Sequence, residues 1–295
     1  MAKASRALRG RMRSVQNTRK ITRTMELVST SKLKRAQDRV VAARPYAAAL
    51  AEVIADLVTP ELAARFPLLR RPAPPEKGGP RSAAVLLVTS NRGLCGGFNS
   101  NLIKEARKRV EFLEGKGYQV ELHLVGKKGI GFFKYIGRSI ASQRIDVGDK
   151  PNVQHATELV ADLLSEYAAG RLASVDVVYA KFVSPLTTPP TTVSVLPVQA
   201  PVARQTGVRP DYILKPNADE LLEQLLPLYV RNQVYRGLVE TAAAEHGARR
   251  TAMKNATDNA GDIYDLLKRT YNRQRQAAIT QEIAEIVGGA AALEG

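Results

Sequence analysis

The sequence is 295 residues long, 44% hydrophobic and 24% charged, which points to about two domains with enough apolar content for a buried core. No apolar run approaches the ~20 residues that span a bilayer, the single cysteine, Cys95, excludes an intrachain disulfide, and three scattered histidines argue against a zinc cluster. The formal net charge of +16 calls for an acidic partner: nucleic acid, an anionic membrane surface or acidic protein.

Most of that excess sits at the start, where residues 1–44 hold 13 Lys and Arg against Glu26 and Asp38. From 4 to 58 no glycine follows Gly10, the one proline is Pro45, and Leu8, Met12, Val15, Ile21, Met25 and Val28 recur at steps of three or four with one longer break. This spacing predicts a long amphipathic helix, with Pro45 as the place for a kink. At 1.5 Å per residue it would run to roughly 80 Å, more than a compact domain needs. The Arg- and Ser-rich, acid-poor start also raises a transit peptide. Pro and Gly in "FPLLRRPAPPEKGGPR", 66–81, break every periodicity and read as an exposed linker.

From 83 to about 200 strand and helix signals alternate. The expected strands are 83–89, 118–126, 139–148, 174–184 and 191–198, with helices over 99–114, 127–136 and 152–169. Strands separated by helices point to a mostly parallel α/β sheet. A proline-rich connector covers 184–217, and "NADE" then signals a helix start, with a break or kink expected near Pro227 and a helix over 228–287 beyond it. Its seam is rich in small residues, Ala242, Ala252, Ala256 and Ala260, followed by Ile263, Leu267, Tyr271, Ala278 and Ile286. Small side chains let two helices approach closely, so the natural mate is the N-terminal helix. The expected division is an N-terminal helix (1–60), a linker (61–82), an α/β domain (83–200), a connector (201–217) and a C-terminal helix (218–295).

The stretch "TSNRGLCGGFN", 89–99, poses the question of a phosphate cradle, since it joins an apolar strand to a helix. It fails both fingerprints. A Walker loop needs Lys and Ser or Thr after its last glycine, where this chain has Phe98 and Asn99; a dinucleotide loop needs G-x-G, and Gly93 is followed by Leu94 and Cys95. A tight strand-to-helix turn, or backbone packed on another protein, accounts more simply for Gly93, Gly96 and Gly97. His123, His155 and His246 lie in separate elements, and no Cys-His pairing, nucleophile elbow or HExxH pattern stands out, so an active site has little support. The basic N-terminal segment suits nucleic acid by charge, yet no Phe, Trp or Tyr precedes Tyr46 to supply a stacking platform. A solvated coiled-coil face that meets acidic protein is the competing reading. The tail "AAITQEIAEIVGGAAALEG" carries no base, and its exposed apolar side chains would need a sheath.

Together, "SVQNTRKITRTMELVSTSKLKRAQDRV", "TSNRGLCGGFN", "RNQVYRGLVE", "AMKNATDNAGD" and "NRQRQAAITQEIAEIVGGAAA" resemble the gamma subunits of rotary F-type ATP synthases over nearly the whole chain. The resemblance implies a long antiparallel coiled coil of N- and C-terminal helices with an inserted Rossmann-like, mostly parallel α/β domain. It implies a non-catalytic central rotor shaft that turns inside a ring of alpha and beta subunits, its foot on the c-ring beside the epsilon subunit. Proton flow would drive it, with sodium left open, and the nucleotides would belong to alpha and beta, so no cofactor is expected in this chain. Because the similarity begins within the first few residues, the basic start belongs to the shaft, and a peripheral position on the cytoplasmic face of a bacterial inner membrane is expected.

Carried over by motif, Met25 faces an acidic loop of beta, with Lys32 and Arg35 nearby. Arg249 lies in a second coupling stretch. Arg275, Gln276, Thr280 and Glu282 fall at polar catch contacts with beta, and 283–292 turn in an apolar sleeve. Arg92, Gly93, Gly96 and Gly97 serve the foot domain's turn and contacts. The chain departs from the family's usual pattern at Leu27 and at Ser29 and Thr30, where a second Met and two Ala are frequent; its "PAPPEKGGP" is its own, and the paired regulatory cysteines of the chloroplast type are missing. Two other classes stand beside this one: a basic nucleic-acid-binding coiled-coil protein and a stand-alone α/β enzyme.

Overall fold

Six helices and five strands make up the computed structural model, which describes residues 2–70, 81–199 and 217–294. In chain order they are α1 (Ala2–Leu57), α2 (Pro60–Arg65), β1 (Arg81–Val88), α3 (Phe98–Glu114), β2 (Tyr118–Val125), α4 (Lys127–Tyr135), β3 (Ser142–Arg144), α5 (Val153–Ala168), β4 (Leu172–Ala180), β5 (Pro190–Leu196) and α6 (Ala218–Glu294). The expected connector, 201–217, lies outside the described residues except for Asn217, as does the middle of the linker.

The sheet has the order β3-β2-β1-β4-β5. β1 pairs in parallel with β2 and β4, β2 in parallel with β3, and only β5 runs antiparallel. β1 therefore lies at the centre, and its unbroken apolar run follows from burial on both faces. Side chains alternate across a strand. Ala84, Leu86 and Val88 enter a core with Leu50 and Ile54 of α1, Val160 and Leu163 of α5, and Leu222, Leu226, Val230, Val234 and Leu238 of α6. Ala83, Val85 and Leu87 enter the other, with Leu102 and Val110 of α3, Phe133 of α4 and Leu33, Ala36 and Val40 of α1. Each fully buried Leu or Val contributes roughly 1.5–3 kcal/mol relative to exposure.

The chain divides into two compact units, one of residues 1–29 with 249–295 and one of residues 30–248. The first is a helix pair. Thr22 bonds Thr257 at 2.8 Å, the Cβ position of Gly261 meets the Arg19 guanidinium, and Arg9 bonds the Tyr271 hydroxyl at 2.6 Å. As the index falls along α1 it rises along α6, so the pair is antiparallel.

Several expectations needed correction. β3 has three residues instead of ten, because the segment beyond Arg144 leaves the sheet edge to form a loop. No break occurs at Pro227, and α1 runs on through Pro45 as expected. A helical proline forfeits a hydrogen bond and costs about 3 kcal/mol, which the burial of Val40 and Leu50 beside one, and Leu226 and Val230 beside the other, offsets. The helix-pair seam is mixed: Met253 and Ala260 are buried together with Thr22, Glu26, Ser29 and Thr257, and Ala252, Ala256, Leu267, Tyr271 and Ala278 are half-buried as the spacing predicts, while Ile21, Val28, Ile263 and Ile286 are exposed. The start of α6 agrees with its signal, since the Asn217 Oδ1 accepts from the Glu220 amide at 2.9 Å and its Nδ2 donates to the Glu220 carboxylate at 2.8 Å.

Candidate partner-contact surfaces

The turn after β1 is built by its own polar side chains. The Ser90 amide donates to Asn99 Oδ1 at 3.0 Å, the Ser90 hydroxyl to the Arg92 carbonyl at 2.6 Å, and Asn99 Nδ2 to the Ser90 hydroxyl at 2.8 Å. Leu94 and Gly96 have positive φ, 61° and 58°. For Leu94 this left-handed conformation costs roughly 1–2 kcal/mol, and it holds the side chain outward at 62% exposure. Arg92, Gly96 and Gly97 are exposed and Gly93 half-buried.

The opening of α4 is where an anion would bind, yet its amides are already engaged. Lys127 N donates to Asn91 Oδ1 at 3.0 Å, Lys128 N to the Ser90 carbonyl at 3.2 Å, and Gly129 N to the Thr89 hydroxyl at 3.0 Å. A helix N-terminus so capped has its donors spent on the protein itself. Gly126, at φ 97°, permits the closeness this needs: a Cβ there would lie 2.2 Å from the Thr89 carbonyl oxygen.

Beyond the ends of β1 and β2 lies a cavity of about 650 Å³, lined in part by Arg92, Lys127 and Lys150 and by Asp146, Asp149 and Glu245. Its charges are of both signs, so it offers no single-sign field for phosphate. One wall is the loop after β3, held by Asn91 Nδ2 to the Ile145 and Val147 carbonyls at 2.9 and 3.2 Å. Asp149 in this loop pairs with Lys32 of α1 and lies 3.8 Å from His246 of α6. Burial works to raise the Asp149 pKa, but the Lys32 bond and the charges of His246, Lys32 and Arg92 outweigh it and leave the carboxyl below its ordinary value.

The site residues expected from the sequence fall in both units. Lys32 and Arg92 act on Asp149 in the larger unit, where Arg35 is exposed beside Ser31. In the helix pair Met25 is half-buried, its carbonyl accepting from the Ser29 hydroxyl at 2.7 Å. Arg249 is 8% exposed, a burial that its charge did not announce. Arg275, Gln276, Thr280 and Glu282 are all exposed along one stretch of α6, with the Thr280 hydroxyl bonded back to the Gln276 carbonyl at 3.0 Å. Ile279, Ile283, Ile286 and Val287 are exposed on the same stretch. Asp149 and His246 are what sequence reasoning missed at this site; 117 positions separate Asp149 from Lys32, and no local pattern reports such a pairing. Among the described residues no helix is long and apolar enough to cross a membrane, and no cluster of metal-ligating side chains occurs.

A mostly parallel sheet with its helices, inserted in sequence between terminal helices of 56 and 77 residues, defines the class: an α/β domain flanked in the chain by two long helices. A family model described as ATP synthase matches residues 4–293. The ATP synthase gamma chain of Gemmatimonas aurantiaca is 61% identical over 296 residues, covering 100% of both chains, and that of Leptospira biflexa is 42% identical over 289 residues, covering 98% of each. The chain belongs to the ATP synthase gamma-chain family. The fold is also that of a chain in the Euglena gracilis mitochondrial ATP synthase OSCP/F1/c-ring structure, at TM-score 0.65 and 18% identity over 99% of this chain and 95% of that one. A chain of the Euglena gracilis rotor gives 0.63 and 17%, over 95% and 100%.

Proposed function

We propose that this chain is the central rotor shaft of an F-type ATP synthase, which couples ion-driven rotation of a membrane ring to ATP synthesis in an alpha/beta head and carries no active site itself. The observation that carries this reading, beside family membership, is where the helix pair leaves its apolar side chains. Ile21, Leu27 and Val28 on α1 and Ile279, Ile283, Ile286 and Val287 on α6 are exposed, whereas Thr22, Glu26, Ser29 and Thr257 are buried. A helix pair that stood alone would turn its apolar residues inward. A surrounding sleeve of other subunits gives them a burial place.

On this reading Met25, Lys32 and Arg35 meet the acidic loop of beta, Arg249 supports the second coupling stretch, and Arg275, Gln276, Thr280 and Glu282 make the polar catch. The turn at Arg92, Gly93, Gly96 and Gly97 serves the foot, where epsilon and the c-ring are the partners. The protein is then peripheral, on the cytoplasmic face of a bacterial inner membrane, and reaches the membrane through the complex. Charge attraction at the head acts over only about 8 Å at physiological salt, so it grips locally. Rotation works by differential contact: each face of an asymmetric shaft favours a different conformation of the beta subunit it meets.

Co-expression with the cognate alpha and beta subunits, followed by native mass determination and an ATPase assay, tests the proposal. One copy of this chain per complex, with activity that the chain alone lacks, is the expected result. A free chain that leaves alpha and beta untouched and retains nucleic acid would overturn it.

A further inference from the structure

In the larger unit β4 runs on past the end of its neighbour. The last residue of β1 paired with it is Leu87, opposite Val178, so no strand is left on that side to take the amides of Ala180 and Phe182. Lys181 between them donates to the Pro189 carbonyl on the β5 side at 3.0 Å. α6 takes the other two: the Thr241 hydroxyl accepts from the Ala180 amide at 3.2 Å, and the Glu240 carboxylate from the Phe182 amide at 2.9 Å. Glu240 is 1% exposed and Thr241 2%, and the second carboxylate oxygen of Glu240 accepts from Arg236 Nε at 2.6 Å, one turn back on the same helix. Gly237 and Gly247 let the same helix face come close: a Cβ would lie 3.4 Å from the Tyr179 ring at the first and 3.0 Å from the Pro185 carbonyl oxygen at the second.

Apolar packing is non-directional and lets a helix settle at a range of angles about its own axis. Bonds from its side chains to fixed main-chain amides do not. Turning or sliding α6 on the sheet would strand two buried donors together with a buried carboxylate. We infer that Glu240 and Thr241 are positioning residues that lock α6 against rotation on the α/β domain, so that torque taken up by that domain passes into α6 and is not lost as twist between helix and sheet. α6 continues from the larger unit into the helix pair, so what turns its first part turns the rest. This inference rests on the rotor reading above and deepens it, by naming where within this chain the load crosses from sheet to helix.

Single-molecule rotation of the full-length chain in complex with alpha and beta tests it, with the head fixed to a surface and a bead tethered at Tyr135→Cys. Tyr135 is 89% exposed and Cys95 is buried, so the tether has one point of attachment. Glu240→Gln and Thr241→Val should each widen the bead's angular variance in the pauses between ATP-driven steps at least about twofold, because each weakens or removes one of the two bonds. Thr241→Ser keeps the hydroxyl and should match wild type. Leu163→Ala, which opens a cavity in the core under α5, should lower the thermal midpoint at least as far as either variant and leave the variance at its wild-type value. A bead that turns in wild type but shows the same variance in Glu240→Gln and Thr241→Val, or a variance that follows the thermal midpoint through Leu163→Ala as well, overturns the inference and leaves the rotor reading standing. A wild-type bead that does not turn overturns both. Should Glu240→Gln fail to assemble with alpha and beta, Thr241→Val against Thr241→Ser decides the matter.

Discussion

Arg109 of α3 reaches Asp176 of β4 through two bonds, Nε to Oδ2 at 2.9 Å and Nη2 to Oδ1 at 3.0 Å, and the carboxylate is fully buried. Removing one member of such a pair leaves the other charge stranded. The members are not equivalent, since the Arg109 side chain keeps 28% of its exposure and Asp176 none. Arg109→Leu is therefore expected to cost about 3–5 kcal/mol, and Asp176→Asn clearly less, because the arginine can turn to water. Urea unfolding of the two variants, with unchanged slope and displaced midpoint, measures both. Asp149 gives a prediction in pH. Its folded pKa lies below the ordinary 3.8, so the stability it contributes is present above that value and is lost as pH falls through the lower, folded one. Asp149→Asn should lower the thermal midpoint at pH 7, and the gap to wild type should close towards pH 2. A gap that stays constant would mean that the Lys32 bond contributes nothing through charge. Met25→Lys should impair coupling more than assembly by adding charge where beta is proposed to touch; equal loss of ATP-driven pumping and of ring assembly would count against that contact.

Glycines separate what an element's pattern announces from what its tertiary setting demands. Gly97, prominent in the sequence, has φ −77°, and an added Cβ would meet only Asn101 and Ser100 atoms at ordinary contact distances. Gly97→Ala should be tolerated within about 1 kcal/mol. Gly126, unremarked in the sequence, combines φ 97° with backbone 2.2 Å away. Gly126→Ala should cost at least about 3 kcal/mol, and comparison of the two variants by denaturant unfolding checks the contrast. The same difference of scale runs through what could be read in advance. β1 was legible because a strand buried on both faces must be apolar at every position, and α6 because Asn217 caps it. The seam of the helix pair was legible only in part: Ala260 and the half-buried Ala252 and Ala256 lie where the spacing put them. Its pattern assumes that apolar residues face the mate, and here Ile21 and Val28 face outward while Thr22 and Ser29 face in. The ten-residue strand expected at 139–148 failed for a related reason, since an edge strand ends where its partner stops offering bonds, and Arg144 is paired with Val125, the last residue of β2. The polar motifs carried over by resemblance could be named from the sequence, while Asp149 and His246 depend on contacts between distant positions, 117 apart for Asp149 and Lys32.

At the scale of the whole molecule, charge gives the clearest expectation. With +16 overall, association with an anionic protein surface should be electrostatically steered, and its rate should fall on the order of tenfold between low and high salt. Stopped-flow mixing of labelled chain with an alpha/beta head at several ionic strengths measures this; a flat rate would place the charge elsewhere than on the approach. The antiparallel helix pair has a consequence in time as well. Thr22 and Thr257 are bonded across 235 positions, and pairs so distant in sequence form slowly because the loop between them must close first. Residues 30–248 form a compact unit, and if that unit forms first it shortens the loop to a preformed body. On the ribosome the basic first 29 residues must then wait, unmatched, until nearly the whole chain has been made, and their mate is among the last segments to emerge. A stop codon at residue 249 would leave the residues of the α/β unit intact and trailing a cationic segment of chain with nothing to wind against, a species expected to be open to proteases at that end.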